Sequence, residues 1–376
     1  MSLPDPTIRP DAVDHWAALL GGGELPSEAL CLTLVRGVPV ADALVRFGGV
    51  ADGREVALDV AGAASVAAFP DELPIVVADD LAGWTFLAED NGFHGSLPEV
   101  VARLSTGTVA ASAYWNVNFD SRITLAHDGR VLAAVEFAAN GPVTGADPAA
   151  ITPFLDGLDF SDPYRTCAAA LAFLERVSGV RVPAGWSSAP HPASVVFDAG
   201  AIDRDDPRSW LSVNAPHVVA AMSHTAGSTL RALCSAVAAR ACTATGVDDP
   251  LVRRALAEDV ESLSTTDRAE RREELADRAR EHYLRALSLR FDRCAPEDPG
   301  LDAAAVLRSA VRRRTADRSP EDDLVVRAHA LGAMAARFAD DPVDALCAAA
   351  FNACQADRAG WPALLDTLTA GVPDRT

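Results

Sequence analysis

Lysine is absent from this 376-residue chain, so all 33 basic residues are arginines. With alanine at most neutral positions, that usage implies a GC-rich, bacterial coding sequence rather than a physical need for guanidinium. Fifty-three acidic residues bring the formal net charge to -20. A chain this acidic repels phosphate backbones, so nucleic acid is not an expected partner. The one tight basic cluster, Arg312-Arg313-Arg314, falls where a helix is expected to end and suits the helix dipole. No apolar run approaches about 18 residues, the length that reads as a membrane span. The N-terminal Met-Ser-Leu-Pro-Asp-Pro also lacks a basic n-region and an apolar h-region, so a soluble, cytoplasmic protein without a membrane partner is expected.

Clustered cysteine is missing too. Seven cysteines are scattered from Cys31 to Cys354 with no Cys-x-x-Cys, which argues against a disulfide framework or a zinc knuckle. Cys347 and Cys354 sit seven apart beside Val343, Leu346 and Ala350 and read as small core residues on one helix face. Dinucleotide-binding, phosphate-loop, zincin and EF-hand patterns do not occur, nor does Gly-x-Ser-x-Gly. Gly21-Gly22-Gly23 follows a helical pattern and precedes Glu24-Leu25-Pro26, so it reads as a helix stop. No cofactor, metal ligand or catalytic residue is assigned on these grounds.

What is present is a meander of short strands. Leu73 to Asp79 and Gly83 to Glu89 are two, the second ending at Asn91-Gly92. Ile123 to Ala126 and Val131 to Val135 flank His127-Asp128-Gly129-Arg130, and Asp-Gly between apolar runs is a strong hairpin signal. Segments before Leu73 read as packing or lead-in: a helix over Pro10 to Leu20, a strand over Ala29 to Val35 and a helix over Val38 to Phe47. Ser96 with Glu99 has the form of a capping box for a helix over Leu97 to Leu104. The next strand, Gly107 to Asn118, runs into Tyr114-Trp115-Asn116-Val117-Asn118-Phe119, whose alternation places Trp115, Val117 and Phe119 on one face. A helix over Asp162 to Val177 is expected to close an α+β domain with a mainly antiparallel sheet and helices packed on one side.

Composition then changes. The length suits two domains, and prolines at 183, 190, 192 and 207 mark a boundary. The expected organisation is an α+β domain over 1–182, a Pro-rich linker over 183–207 that adds an edge strand at Ala193 to Phe197, and an all-α domain over 208–376. Val219, Met222, Ala226, Leu230, Leu233 and Val237 form one apolar stripe, predicting a single helix of roughly seven turns. Asp249-Pro250, Ser319-Pro320 and Asp341-Pro342 pair a capping residue with proline at the first helical position. Asp267 to Arg290 reads as a charged helix with Glu274/Arg278 and Glu281/Arg285 pairs.

Leu32-Thr33-Leu34-Val35-Arg36-Gly37, Gly83-Trp84-Thr85-Phe86 leading into Glu89-Asp90-Asn91-Gly92-Phe93-His94-Gly95, Leu104-Ser105-x-Gly107, Trp115-Asn116-Val117-Asn118 and Asp128-Gly129-Arg130 follow one another in fixed order. Over residues 25–180 this resembles an uncharacterised single-domain family common in actinobacteria. The resemblance implies a fold and a bacterial source, and carries over no catalytic residue.

Candidate binding residues are Trp84, Glu89, Asn91, His94, Tyr114, Asn116, Asn118, His217, His224 and Arg231. Glu89 and His94 combine a carboxylate with an imidazole, as acid–base or metal chemistry would require, but the same letters suit a turn with solvated polar ends. Tyr114, Asn116 and Asn118 suit a binding surface or the exposed face of a strand. His217, His224 and Arg231 recur every seven residues and would share one helix face, as a polar stripe. With no reactive convergence of side chains, the leading expectation is a non-catalytic regulatory or immunity-type protein that works through a protein partner. The alternative is an enzyme or small-molecule binder with an interdomain site using Glu89, His94 and His217 or His224.

Overall fold

The computed structural model describes residues 2–372 apart from 51, 70, 140, 203–205 and 296–318, so Arg312-Arg313-Arg314 lies outside the described residues. The chain divides into two units, residues 1–196 with 290–315 and residues 197–289 with 316–376.

In the first unit the elements are α1 (Ala12–Gly21), β1 (Leu30–Arg36), α2 (Val40–Phe47), β2 (Glu55–Val56), α3 (Leu58–Ala68), β3 (Ile75–Leu81), β4 (Trp84–Asp90), α4 (Pro98–Leu104), β5 (Val109–Trp115), β6 (Ser121–His127), β7 (Arg130–Val135), α5 (Thr152–Leu155), α6 (Thr166–Ser178) and β8 (His191–Val195). The strands form one sheet in the order β2-β8-β3-β4-β1-β5-β6-β7, antiparallel throughout. The expected hairpin is present: Asp128 and Gly129 have φ of 50° and 76°, both positive as a type I′ turn needs.

The strand over Leu30–Arg36 is more than lead-in. β1 sits between β4 and β5, so the meander is split by a strand from far earlier in the chain. Six of its seven residues are buried, which requires cover on both faces rather than the single face expected. α2 and α4 pack on Val35, Leu87, Ala110 and Ala126 on one side. Leu30, Leu32 and Leu34 on the other are fully buried too, with α6 against β1 and β5. β8 lies inside β2 rather than at the edge. At the opposite end, the chain after β7 turns back and pairs Thr144 with Ala134 in both directions, at 2.8 and 2.9 Å.

Glu175 of α6 is wholly buried. Its carboxylate accepts from Trp16 Nε1 at 2.9 Å, Arg9 at 3.0 Å and Arg181 at 2.9 Å, tying α1 to α6. Three charge-assisted donors offset the desolvation of one carboxylate, and removing that acceptor leaves guanidinium groups and an indole N–H without it.

Two local expectations give way to other geometry. The cap of α4 is Leu97, with no side-chain hydrogen bond; Ser96 instead donates to Phe93 O at 2.7 Å within a 3-10 turn over His94–Ser96. β5 ends at Trp115, and Val117 and Phe119 are 63% and 82% exposed rather than aligned with Trp115 on an inner face.

The second unit is helical, as expected: α7 (Pro207–Asn214), α8 (Pro216–Met222), α9 (Gly227–Thr245), α10 (Pro250–Ala257), α11 (Thr265–Cys294, whose last turn falls in the first unit), α12 (Pro320–Ala336), α13 (Pro342–Ala356) and α14 (Trp361–Gly371). Asp249, Ser319 and Asp341 cap α10, α12 and α13 through their side chains, Ser319 in a full capping box. The expected seven-turn helix is broken between α8 and α9. Ser223 donates to Ala220 O and Thr225 to Ala221 O, each at 2.9 Å, and Ala226 is extended (φ -61°, ψ 140°). Hydroxyls that bond the backbone locally compete with helix propagation. On α11, Arg278 pairs with Glu281 and with the Asp249 cap.

Replacing Glu175 by Ala is expected to destabilise the first unit by about 1–3 kcal/mol, chiefly through the buried indole N–H of Trp16 left without its acceptor, measured by chemical denaturation followed through tryptophan fluorescence. A loss below about 1 kcal/mol, the size of an exposed ion pair, would show that the network contributes little.

Candidate functional site

Antiparallel register brings Cys31 of β1 directly opposite Glu89 of β4 on one side and Tyr114 of β5 on the other. Two residues along, Thr33 faces Ser112, which faces Thr124 of β6. One sheet face therefore carries a polar row in an otherwise apolar interior. Cys31, Thr33, Ser112, Glu89 and Thr124 are each at most 1% exposed. The hydroxyls of Ser112 and Thr124 are buried without a hydrogen-bond partner, a cost of about 1–3 kcal/mol each.

Glu89 organises the corner where β4 ends. Its two carboxylate oxygens accept from the backbone N–H of His94 at 3.2 Å and of Gly95 at 2.8 Å. His94 Nδ1 lies 3.4 Å from the same carboxylate. The Thr33 hydroxyl donates to Gly95 O at 3.3 Å, so the 3-10 turn is held to β1 and β4 together. The expectation of a turn with solvated polar ends is thus corrected: Glu89 is 1% and His94 5% exposed. Asn91 meets it, being exposed with φ 57°. Glu89 is committed to backbone donors, which fits a fastener better than a free general base.

The Cys31 thiol, missed from sequence, is pushed well above its usual range by burial first and by the neighbouring Glu89 second. It stays a protonated, unreactive thiol at neutral pH. Tyr114 is raised mainly by burial, against the lowering effect of its hydrogen bond from Asn116. Trp84 is buried at the far end of β4, opposite Arg36 and Leu81, about 17 Å from Glu89 by strand rise.

Asn116 and Asn118 belong to a tight turn rather than to the face of a strand. Asn116 Oδ1 accepts from the backbone N–H of Asn118 at 2.9 Å and Asp120 at 3.1 Å. Its Nδ2 donates to Tyr114 OH at 2.8 Å and to Asp120 at 3.0 Å. This turn carries Phe119 at φ 66°, a left-handed conformation uncommon for an aromatic residue. Beside it, a groove of about 540 Å³ is lined by Trp115, Val117, Phe119, Phe137 and Phe160.

In the second unit the predicted stripe is dispersed by the break between α8 and α9. His217 Nε2 lies 3.0 Å from Thr369 Oγ1, and His224 is exposed within the break. Arg231 donates to the carbonyls of Ala339 and Asp340, at 3.0 and 2.6 Å, just beyond α12. Among the described residues, no group of three or more His, Cys, Asp or Glu side chains is arranged to hold a metal ion. No helix among them is long and apolar enough to cross a membrane.

Asp90, part of the same polar run in sequence but not among the candidate binding residues, has a different environment. Alternation along β4 turns it to the face opposite Glu89, against Gly62 of α3, where an added Cβ would collide with its carboxylate. Its pKa is raised from 3.8 to about 6, by desolvation first and by Asp59 second.

A family model described as a family of unknown function (DUF6461) matches residues 20–196, so the first unit's sheet, through β8, is similar to that family. The helical unit lies outside the match, and no curated protein or solved structure matches the chain.

Because the native state holds the Asp90 proton more tightly than the unfolded chain, ionisation opposes folding. That cost is absent below pH 3.8 and complete above about pH 6. Asp90→Asn is therefore expected to stabilise the protein by roughly 1–3 kcal/mol above pH 6, with the gain shrinking as pH falls. Urea melts at several pH values check this, and a pH-independent difference would contradict it.

Proposed function

We propose that this protein is a non-catalytic regulatory or immunity-type protein that acts by binding another protein, in the cytoplasm of a GC-rich, actinobacterial-type bacterium. The observation that carries the reading is the β5–β6 tip. Asn116 holds the turn with four hydrogen bonds, and the turn displays Val117 and Phe119 at 63% and 82% exposure. A large ring fixed in solvent in a left-handed conformation gains nothing for folding, and aromatic anchors of this kind dominate the energetics of protein interfaces.

The adjoining groove continues the apolar surface to Phe137 and Phe160, whose rings lie 5.7 Å apart. Contiguous apolar surface ringed by polar groups marks interaction sites. Glu28, Asp120 and Asp159 are exposed nearby in sequence or lining, and the chain carries net charge -20. The partner this surface fits has an apolar pocket with a basic rim, and its association rate falls as salt rises. The buried state of Glu89 and the raised Cys31 thiol support a structural rather than reactive role for the polar row.

Phe119→Gly separates binding from folding. Glycine accepts positive φ, so stability is expected to stay unchanged or rise by up to about 1 kcal/mol. A partner captured by the wild-type chain in the host at near-stoichiometric yield should be lost by Phe119→Gly and by Val117→Ser. Capture that is unaffected by both variants, or recovery of the bait alone, would refute the proposal.

A further inference from the structure

Beyond the C-terminal end of β4 lies a cleft of about 490 Å³ belonging wholly to the first unit. Its size is that of small-molecule sites. Ala61, Val66, Phe69, Ile75 and Phe93 form the apolar part of its lining, and Asp90 is set among them. Phe69 and Phe93 remain 69% and 46% exposed, leaving two aromatic rings bordering the cleft. Within the protein, nothing among the described residues donates a hydrogen bond to Asp90 or forms an ion pair with it.

The other charged groups do not satisfy that carboxylate. Asp59 of α3, three residues before the Gly62 that the Asp90 carboxylate contacts, repels it. Asp71 and Glu72, which also line the cleft, add negative charge; Asp71 has Arg290 at 4.0 Å, and the Arg290 guanidinium donates to Glu72 O at 3.0 Å. His94 lines the cleft but lies beside Glu89. A desolvated carboxylate without a counter-ion, placed in an apolar cleft, is incomplete until a cation arrives.

We propose that this cleft binds a small organic ammonium ion with an aromatic or branched apolar body. The ammonium pairs with Asp90, and the body lies between Val66, Ile75 and the rings of Phe69 and Phe93, whose faces also attract cations. The raised pKa of Asp90 agrees with a group that awaits its partner. This site is independent of the β5–β6 tip, so either proposal can fail alone.

The test is calorimetric titration of the full chain at pH 8 with phenethylamine, tryptamine and isoamylamine, beside the neutral 2-phenylethanol and the anionic phenylacetate. At least one amine is expected to saturate with Kd near or below about 1 mM, and the alcohol to bind at least about tenfold more weakly. Phenylacetate should not bind. Asp90→Asn should abolish the preference for amine over alcohol while keeping the fold, judged by circular dichroism. Gly62→Ala, which displaces the carboxylate without removing it, should weaken the amine more than the alcohol. Equal affinity for amine and alcohol, wild-type amine binding by Asp90→Asn, or no saturable binding of any of the three amines would overturn the proposal.

Discussion

One buried carboxylate governs how the central strands of the first unit end. Glu89 accepts two successive backbone N–H groups, from His94 and Gly95, and so converts the end of β4 into a closed corner. An unmet N–H in that interior is expensive, and a charged acceptor makes the strongest bond to it. The corner then dictates its neighbours. Asn91 takes positive φ, the 3-10 turn lies over Cys31 and Thr33, and α4 starts at Pro98. Asp90, next in sequence, is turned to the opposite face by the strand period of two.

That alternation explains why adjacent acidic residues have unlike roles. Glu89 faces inward to backbone donors, whereas Asp90 meets a glycine, a repelling Asp59 and a largely apolar cleft. Nothing in Glu-Asp-Asn-Gly distinguishes the two without the strand register. The same holds for Cys31, whose neighbours Glu89 and Tyr114 come from positions far along the chain. Glu175, reached by Trp16 and Arg9 across some 160 residues, left no local signal at all.

Features set by a few consecutive residues were legible. Asp128-Gly129 formed its turn, and Asp249, Ser319 and Asp341 capped their helices as their Pro-led contexts imply. Features set by competition between local bonds were not. Ser96 prefers the Phe93 carbonyl to a helix N–H, and Ser223 and Thr225 bond backward and interrupt an apolar stripe whose period continues unbroken. Asn116 similarly ends a strand pattern that by alternation alone runs on to Phe119. The apolar period records which side is inside, not whether the backbone remains regular.

The margins of the sheet also limit how this molecule meets others. β2 has only two residues, and the strip from Thr144 to Asp147 hydrogen-bonds back onto β7 through Ala134, Val131 and Leu132. Open strand margins template the addition of foreign strands and the growth of fibrils. Here one margin is too short to be copied and the other is occupied by the chain's own return. A visiting chain therefore finds little free ladder to extend and must be recognised through side chains, which ties selectivity to residue identity instead of to backbone shape.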